Sequence, residues 1–254
     1  MTTTAKSAPV TVIVPCHNEE AGLPGLLSRL CALRRKPQTS GWQFLFVDDG
    51  STDGTFATLL KAARDEPGIQ VMRHHENLGL GAALRTGFLH ASSPIICTID
   101  SDCTYAPERL PELTALVDHG ADVVTASAWH PESHDAQGSA LRLTLSRMVS
   151  RIYKLLIGQD VYTFTCLFRA YRSQVVRTMH FRADGFAAVA EIMLRAILAG
   201  RTIMEVPMHL EARRYGESKL KISDAVLAHA GLLTLTALAV STRQVRQVLS
   251  RRSQ

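Results

Sequence analysis

The stretch Ile95-Ile-Cys-Thr-Ile-Asp-Ser-Asp102 is an apolar run of strand length that ends in two carboxylates. Two earlier runs end in the same way. Val10–Val14 leads into Pro15-Cys-His-Asn-Glu-Glu20, and Phe44–Val47 leads into Asp48-Asp-Gly-Ser-Thr-Asp53. Runs that deliver polar residues at successive strand ends are typical of a parallel sheet, in which ligands bind outside the carboxyl ends of the strands.

Segments of helix length separate the apolar runs. Between the first two, Leu23, Leu26, Leu27, Leu30 and Leu33 follow the spacing of one helix face. Alternation of strands and helices predicts an α/β fold with a mostly parallel sheet covered by helices on both faces. Further strands are expected at 70–73, 122–126 and 202–207, and helices at 23–33, 52–63, 81–90, 107–117, 139–157 and 186–198.

The composition is that of an ordinary globular protein. The 254 residues are 46% hydrophobic and 20% charged, which excludes a disordered chain, a fibrous repeat and a disulfide-stapled miniprotein. The five cysteines are odd in number and include no C-x-x-C pair, which argues against a disulfide framework and a zinc site. We expect a main domain over residues 1–222, a helical extension over 223–254, and a reducing cytoplasmic location.

The charge is unevenly distributed. Residues 1–127 contain 10 Lys and Arg against 14 Asp and Glu, whereas residues 128–254 contain 18 against 9. A basic excess suits an anionic partner such as a nucleotide phosphate, a phospholipid surface or nucleic acid. Nucleic acid is not expected as a partner, because aromatic residues make up only 6% and no basic stripe interleaved with aromatics is present.

Residues 225–242 form an uncharged stretch near the end of the sequence. His229 and four hydroxyl side chains dilute its apolar character, and 18 residues are short for a hydrocarbon core of about 30 Å. We interpret the stretch as a buried or interfacial helix rather than a membrane span. An interfacial helix beside a basic surface would place the protein peripherally on the inner face of the cell membrane.

Asp100 and Asp102 are the sharpest chemical feature. Two carboxylates at i and i+2 after a buried strand can hold Mg²⁺ or Mn²⁺, and such a cation neutralises a diphosphate leaving group. The alternative is that Asp102 is only a polar turn residue. In the loop after Phe44–Val47, Asp49 is a candidate ligand for a base or ribose, and Asp53 is interpreted as a helix cap.

Two further segments have alternative interpretations. Asn77-Leu-Gly-Leu-Gly-Ala82 opens a helix as phosphate-binding loops do, but its two glycines favour close helix–strand packing. The histidines show no metal-ligand spacing and are interpreted as surface or core residues. In the basic second half, a solvated face is the interpretation of Arg147, Arg151 and Lys154, and candidate phosphate ligands are Arg142, Arg213 and Lys219.

A series of motifs, in this order, resembles family 2 glycosyltransferases. The similarity is greatest to the dolichol-phosphate mannose synthase branch, which includes bacterial polyprenyl-phosphate glycosyltransferases, and it covers about residues 10–222. Gly216-Glu-Ser-Lys-Leu220 is the motif most specific to that branch. The others are Val12-Ile-Val-Pro-Cys-His-Asn-Glu19, Val47-Asp-Asp-Gly-Ser-Thr-Asp53, Asn77-Leu-Gly-Leu-Gly-Ala-Ala-Leu-Arg-Thr-Gly-Phe88, Asp100-Ser-Asp102, Phe168-Arg-Ala-Tyr-Arg172 and Glu205-Val-Pro207.

The resemblance implies a GT-A fold and an inverting glycosyltransferase. It also implies a nucleotide-diphosphate sugar donor, such as GDP-mannose or a UDP-sugar, and a Mg²⁺ or Mn²⁺ ion. Carried over residue by residue, the nucleoside would be surrounded by Pro15, His17, Glu19, Val47 and Asp49.

The same resemblance assigns residues to the phosphates and the metal. Asp100 and Ser101 would lie at the ribose and diphosphate, and Asp102 would bind the metal together with Asp100. Donor diphosphate or acceptor phosphate would contact Arg213 and Lys219, which with Asp102 form the expected catalytic set. The acceptor phosphate would also contact Arg142.

The chain departs from the family pattern at several positions. His17 replaces the usual Tyr, and Thr104 stands where D-x-D-x-Q has its Gln. Trp129 occupies the place of the Arg in G-S-R. In the segment that usually reads D-x-[ST]-[SC]-G-F-R, Thr163 replaces the Asp and Leu167 the Gly. The donor-binding motifs are therefore retained, whereas the acceptor-facing motifs differ.

These departures leave two acceptors and one non-catalytic alternative open. A polyprenyl phosphate is anionic near neutrality and needs orientation rather than a general base. A soluble small-molecule hydroxyl acceptor needs a carboxylate base, for which Asp184 and Glu191 are the candidates. The third alternative is a nucleotide-binding scaffold that retains the fold without turnover.

Overall fold

A computed structural model describes residues 8–133, 136–213 and 222–252. Over these residues one seven-stranded sheet runs through the molecule. Its strands are β1 (Val10–Cys16), β2 (Gln43–Asp48), β3 (Ile69–Arg73), β4 (Ile95–Thr98), β5 (Val123–Ser127), β6 (Arg169–Arg172) and β7 (Ile203–Pro207), in the order β3-β2-β1-β4-β6-β5-β7. Neighbouring strands are parallel except at β6, which is antiparallel to both β4 and β5. The predicted α/β fold with a mostly parallel sheet is confirmed.

Helices pack on both faces of the sheet because successive strand residues point to opposite sides. Val12 and Val14 of β1 belong to one buried apolar cluster, and Ile13 between them belongs to the other. The helices are α1 (Leu23–Arg34), α2 (Thr55–Asp65), α3 (Leu80–His90), α4 (Leu110–Asp118), α5 (Ala140–Ile157), α6 (Ser173–Arg177), α7 (Ala187–Leu198) and α8 (Ile222–Arg252).

Helix α2 begins three residues later than the sequence predicts. Residues 52–54 form a turn, and the backbone N–H of Thr55 donates to the Asp53 carboxylate at 3.0 Å. Asp53 thus bonds to the start of α2 from the residue before the N-cap, which is Gly54, whereas we expected Asp53 itself to be the cap. The beginning of the predicted helix 107–117 is likewise a 3₁₀ turn, Pro107–Arg109, which precedes α4.

Strand β6 and helix α6 are absent from the sequence prediction. β6 reads Arg-Ala-Tyr-Arg, and its charged ends conceal it from a search for apolar runs. Arg169 is nevertheless fully buried, with its guanidinium donating to the carbonyls of Val189 and Phe164 at 2.7 Å each and to the Thr125 hydroxyl at 3.3 Å. These acceptors compensate the cost of burying its polar groups.

Residues 225–242, interpreted above as a buried or an interfacial helix, belong to α8, and the exposure of α8 contradicts the first of these interpretations. Over Ser223–Thr242 its length and composition are sufficient to cross a membrane, and only 6% of the residues in that window are buried. Val226, Leu227, Leu235 and Leu238 are exposed, so the buried alternative is wrong. The helix packs on α5 and α7, and no other described part of the chain covers these four side chains. The proposed boundary between residues 222 and 223 stays a prediction.

Candidate active site

The carboxyl ends of β1 and β4 open into a cleft of about 470 Å³, here called the acidic cleft. Among its lining residues are seven of the predicted site residues: Pro15, His17, Glu19, Asp100, Ser101, Asp102 and Arg213. The rest of its wall comes from Cys16, Asn77 and Leu80, which lie in motifs quoted above, and from Leu167, 185–187 and the first turns of α8, to which the sequence did not point. These segments are far apart in the sequence, and their approach follows from the packing of α7 and α8.

Arg213 joins the acidic residues of the cleft. One guanidinium nitrogen pairs with the Glu19 carboxylate, and the other lies 3.7 Å from the Asp102 carboxylate. The second oxygen of Asp102 accepts a hydrogen bond from the backbone N–H of Thr104 at 3.1 Å. Burial and the neighbouring charge of Asp102 raise the pKa of Asp100 to about 7, against the opposing effect of Arg213.

The two aspartates suit a hard divalent cation. Each offers carboxylate oxygens, and the repulsion that raises the Asp100 pKa is relieved when a cation lies between them. Within the described ranges 8–133, 136–213 and 222–252, no group of three or more His, Cys, Asp and Glu side chains is arranged to hold a metal. Such a cation would therefore complete its coordination with phosphate oxygens and water, as Mg²⁺ commonly does.

Asp49 lies next to the acidic cleft, with its backbone carbonyl oxygen 2.8 Å from Nδ1 of the cleft residue His17. Its carboxylate accepts hydrogen bonds from the backbone N–H groups of Leu78 and Gly79 at 3.0 and 2.8 Å, and it lies 2.7 Å from Nδ1 of His74. These contacts shape the loop before α3, and Asp49 is not among the residues that line the acidic cleft. Val47 is fully buried in the core and does not line it either. The expected contacts of Asp49 and Val47 with the nucleoside stay predictions.

His74 is a functional neighbour that sequence reasoning missed. Its Nε2 lies 2.8 Å from the Thr86 hydroxyl while its Nδ1 meets Asp49, so it ties the loop after β2 to α3. The only signal in the sequence is its place directly after β3, at the same edge of the sheet as the other loops.

The glycines at the start of α3 permit close contact with the segment before α7. A Cβ on Gly81 would lie 1.9 Å from the carbonyl oxygen of Ala183, and one on Gly79, whose φ is +94°, would lie 2.4 Å from that of Asp184. The Gly81 N–H donates to the Asp184 carbonyl at 2.6 Å. A packing role is therefore observed, but the partner is a loop rather than the strand we expected.

The two carboxylates considered as a general base are engaged elsewhere. Asp184 pairs with Arg85. Glu191 accepts hydrogen bonds from the backbone N–H groups of Arg182 and Ala183 at 3.0 and 2.8 Å, and from Arg195 Nε at 2.7 Å. Neither lines the acidic cleft, so the geometry does not support a hydroxyl acceptor activated by them.

A second cavity of about 410 Å³, here called the apolar groove, lies between α5 and α8. It meets the acidic cleft at Asp100, and Leu80, Leu167, Phe186 and Ala225 also line both cavities. Arg142, the predicted acceptor-phosphate residue, lines this groove, whereas Lys219 lies outside the described residues. The groove walls are mainly aliphatic and come from Leu143, Leu145, Met148, Val149, Ile152, Val226, Ala230 and Leu233.

The two segments that depart from the family pattern are in contact. The Ser127 and Thr163 hydroxyl oxygens are 2.7 Å apart. The Ser146 hydroxyl lies 2.7 Å from that of Thr165 and accepts a hydrogen bond from the Trp129 indole N–H at 3.2 Å. The replacements at 127–129 and 163–167 thus contact each other through two groups of uncharged side chains, here called the polar network.

Glu205 fixes this network from the far side. Its two carboxylate oxygens accept hydrogen bonds from the backbone N–H groups of Tyr162 and Thr163 at 2.7 and 2.9 Å. Burial raises its pKa above the ordinary value, and these hydrogen bonds oppose the shift. Glu205 therefore orders the segment that leads to Leu167 at the junction of the two cavities.

Comparison with known proteins gives concordant results. Residues 11–179 match the family described as Glycosyl transferase family 2. Undecaprenyl-phosphate 4-deoxy-4-formamido-L-arabinose transferases from Salmonella paratyphi A and Salmonella dublin are 31% identical over 83% of this chain and 62% of their own length. The chain therefore spans less than two thirds of these relatives.

Solved structures with the same fold include glucosyl-3-phosphoglycerate synthase from Mycobacterium tuberculosis. Its complex with Mn²⁺, UDP and glucosyl-3-phosphoglycerate has a TM-score of 0.67 at 19% identity, over 91% of this chain and 79% of that chain. Its complex with Mg²⁺ and UDP has a TM-score of 0.66 at 19% identity and the same coverage. At this identity the likeness shows the fold alone.

Proposed function

Because the chain belongs to glycosyltransferase family 2 and is a glycosyltransferase with a GT-A-like fold, we propose that it transfers a sugar from a nucleoside-diphosphate sugar to a polyprenyl phosphate. One observation carries the proposal: a charged cleft suited to a diphosphate and a groove suited to an aliphatic chain meet at Asp100. A donor and a lipid acceptor bound in the two cavities would bring their reacting ends together there.

The acidic cleft binds the donor in this proposal. Pro15, His17 and Glu19 face the nucleoside, with Ser101 beside the ribose and diphosphate. Asp100 and Asp102 hold Mg²⁺ or Mn²⁺, which when bound supplies positive charge to the diphosphate as it leaves. Contact with the same phosphates is assigned to Arg213 and Lys219.

The acceptor phosphate is itself the nucleophile. With a second pKa of about 6 it is mostly dianionic at neutral pH, so no protein group has to remove a proton. Its oxygen forms a bond to the anomeric carbon on the face opposite the diphosphate, while the bond from that carbon to the diphosphate oxygen breaks and the configuration inverts. Arg142 orients the phosphate at the groove, and orientation of this kind is a large part of catalysis between two bound substrates.

The exposed apolar residues around the groove suit a membrane surface. Leu155 on α5 and Leu227 on α8 are 85% and 73% exposed. Arg147 and Arg151 lie on the same helix as Leu155, and basic side chains near anionic lipid each contribute about 1 kcal/mol of attraction. We therefore place the enzyme on the inner face of the cell membrane, where its lipid substrate enters the groove sideways.

The test uses the purified full chain with Mn²⁺. A thermal-shift panel of GDP-sugars and UDP-sugars identifies the donor, since a ligand at about 100 times its Kd stabilises the fold by roughly 2.7 kcal/mol. That donor is then offered undecaprenyl phosphate in detergent and, separately, soluble hydroxyl acceptors. We expect a sugar-phosphate-lipid product. Transfer to soluble hydroxyl acceptors with none to the polyprenyl phosphate would overturn the proposal.

A further inference from the structure

A cavity of about 550 Å³, here called the basic pocket, lies away from the acidic cleft and the apolar groove. It is formed between the last turns of α3 and residues 176–181, and among the described residues it shares no lining with the other two cavities. Ser92 on its wall precedes the amino end of β4, whereas Asp100 follows the carboxyl end. The basic pocket is therefore at the opposite end of β4 from the acidic cleft.

The basic pocket is positively charged, and no carboxylate is among the described residues that line it. Its ionisable lining residues are Arg85, His90, Arg177 and His180. Over the described ranges, the one carboxylate that forms an ion pair with any of them is Asp184, which pairs with Arg85 from outside the lining. Arg177 donates instead to the backbone carbonyls of Ala91 and Ser92 at 3.4 and 3.2 Å, which leaves its charge uncompensated by the described residues.

The polar groups of the basic pocket suit a phosphate. A guanidinium has five N–H donors, and Arg177 makes both of its carbonyl contacts through Nη2. The imidazole of His180 and the hydroxyl of Ser92 provide further donors. His90 differs, because its Nδ1 already donates to the Thr86 carbonyl at 2.8 Å, so that its Nε2 can donate only when the ring is protonated. Guanidinium groups match phosphate well, since they donate two parallel hydrogen bonds to its oxygens.

The rest of the lining is largely apolar and includes Phe88, Leu89, Met179 and Phe181. The rings of Phe88 and Phe181 meet edge to face with their centroids 6.2 Å apart, and Leu89 is 81% exposed. An inorganic phosphate ion would fill only a small part of the cavity and leave this surface in water. A phosphate that carries an apolar or aromatic group would cover both kinds of wall.

Arg85 connects the basic pocket to the wall of the acidic cleft. Its Nη1 donates to the Ala183 carbonyl at 3.1 Å, and its Nη2 pairs with the Asp184 carboxylate. Residues 185–187, which follow directly, line the acidic cleft. The Asp184 side chain is 67% exposed, so it can turn to solvent when a phosphate in the basic pocket binds Arg85 in its place.

From this arrangement we infer that the basic pocket binds a soluble organic phosphate, which competes with Asp184 for Arg85 and thereby loosens residues 185–187 in the wall of the acidic cleft. The pocket is separate from the donor and acceptor sites of the proposed function, and only its effect on the cleft rests on that function. Donor affinity falls when the effector is bound, because the loosened wall must be ordered again when the donor binds, and the two ligands weaken each other equally.

Calorimetry with the full chain and no added metal tests binding, with phenyl phosphate and inorganic phosphate as probes. We expect phenyl phosphate to bind at least about threefold more tightly, because its ring covers apolar surface. Arg177→Ala should weaken its binding roughly tenfold or more, since hydrogen bonds to a charged group are lost. Arg64→Ala, which removes an exposed arginine on α2, is the matched control. No binding of phenyl phosphate, or an equal loss in both variants, would overturn the inference.

A variant with increased affinity protects the test against loss of folding. Asp184→Asn removes the competitor for Arg85, so it should tighten phenyl phosphate binding about threefold, which is the scale of an exposed ion pair. Asp118→Asn removes the same charge at the exposed end of α4 and should leave the affinity unchanged. Unchanged affinity in Asp184→Asn would contradict competition for Arg85.

Vesicle binding identifies the source of the phosphate. For a soluble ligand, Arg177→Ala and Arg64→Ala should cosediment with phosphatidylglycerol vesicles to the same extent. A loss of about fivefold or more in Arg177→Ala alone, the scale expected for a basic side chain at an anionic bilayer, would assign the pocket to a lipid headgroup and overturn the soluble ligand.

The effect on the acidic cleft is measured by the binding of UDP and GDP with Mn²⁺. Phenyl phosphate, at a concentration that saturates the wild-type pocket, should weaken binding of the preferred nucleotide about threefold in the wild type and leave it unchanged in Arg177→Ala. Equal nucleotide affinity with and without phenyl phosphate would overturn the effector role. If neither nucleotide binds the wild-type chain, the proposed function fails, whereas phenyl phosphate binding still decides the assignment of the basic pocket.

Discussion

The acidic cleft and the apolar groove are built on opposite principles. In and around the cleft, polar side chains are already paired: Asp49 accepts three hydrogen bonds or ion-pair contacts, and Arg213 joins Glu19 to Asp102. On α5 and α8, the helices that form the groove, the side chains of Leu155 and Leu227 are largely exposed to solvent. The first region is preorganised in a way that suits the charged donor we propose, whereas the second has exposed apolar surface that suits the lipid acceptor we propose.

The difference follows from the elements that carry each region. Glu19, Asp100 and Asp102 of the cleft stand on loops anchored directly by β1 and β4, which are buried on both faces of the sheet. The groove is formed by α5 and α8, and among the described residues α8 packs mainly on α5 and α7 and is largely exposed over Ser223–Thr242. Rigid placement is available at strand ends, and an open apolar surface is available where a helix is covered on one side only.

The largest expected effect on turnover comes from a substitution in the acidic cleft. Asp102→Asn should lower turnover about a thousandfold, because it removes charge that would hold the metal against the leaving diphosphate. Product formation at saturating donor and Mn²⁺ measures it, and Asp118→Asn, an exposed carboxylate at the end of α4, is the control. Turnover within tenfold of wild type would show that the cleft does not act through a bound cation.

A second substitution separates the two regions. Arg142→Ala should raise KM for the polyprenyl phosphate roughly thirtyfold and leave KM for the donor unchanged, since a hydrogen bond to a charged group contributes about 1.5–3 kcal/mol. Arg64→Ala, which removes an exposed arginine on α2, is the matched control. A parallel rise in donor KM would mean that Arg142 belongs to the acidic cleft instead.

The exposed apolar surface of α5 and α8 is tested by measuring how tightly the protein binds lipid vesicles. Leu155→Glu and Leu227→Glu should each weaken cosedimentation with anionic lipid vesicles about tenfold, because each loses an apolar side chain whose burial is worth roughly 1.5–3 kcal/mol. Leu89→Glu makes the same change at a residue that is 81% exposed on α3. If all three variants lose vesicle binding equally, the net charge of the protein, rather than the exposed apolar surface of α5 and α8, controls that binding.

The smallest effect concerns the rigidity of the cleft. Gly81→Ala should lower the free energy of unfolding by about 1–3 kcal/mol, because its Cβ would meet the Ala183 carbonyl at 1.9 Å. Gly25→Ala has no neighbour within 4 Å and lies in α1, so it should raise stability by about 0.5–1 kcal/mol. Urea unfolding measures both changes. An unchanged free energy of unfolding for Gly81→Ala would show that the loop carrying Ala183 can move away from the new methyl group at no energetic cost.

Sequence reasoning was most successful where function depends on local order. The run from Ile95 to Asp102 specifies a buried strand and the residues at its end, so β4 and the carboxylates beside it were predictable. The contacts of Asp49 were harder to predict, because its partners Leu78 and His74 are more than 20 residues away and no local pattern indicates them.

The groove was beyond local patterns altogether. It arises where α5 meets α8, and periodicity within either helix does not reveal which side the other will cover. Arg142 was selected for its charge and for the resemblance to the family, and the structure places it on the groove wall. For Arg169 the charge was misleading, because a charged residue at the start of β6 hid a core strand. The Arg169 side chain can be buried there because its guanidinium donates to the carbonyls of Phe164 and Val189.

The reversed direction of β6 has a consequence for how the site can vary. Because β6 runs against β4 and β5, the residues that precede it reach the same rim as the loops that follow the parallel strands. Phe164 and Phe168 hold this segment in the core, whereas the half-buried Thr165 lies on the wall of the apolar groove. A substitution at Thr165 can therefore reshape the groove while the loops after β1 and β4 keep their sequence.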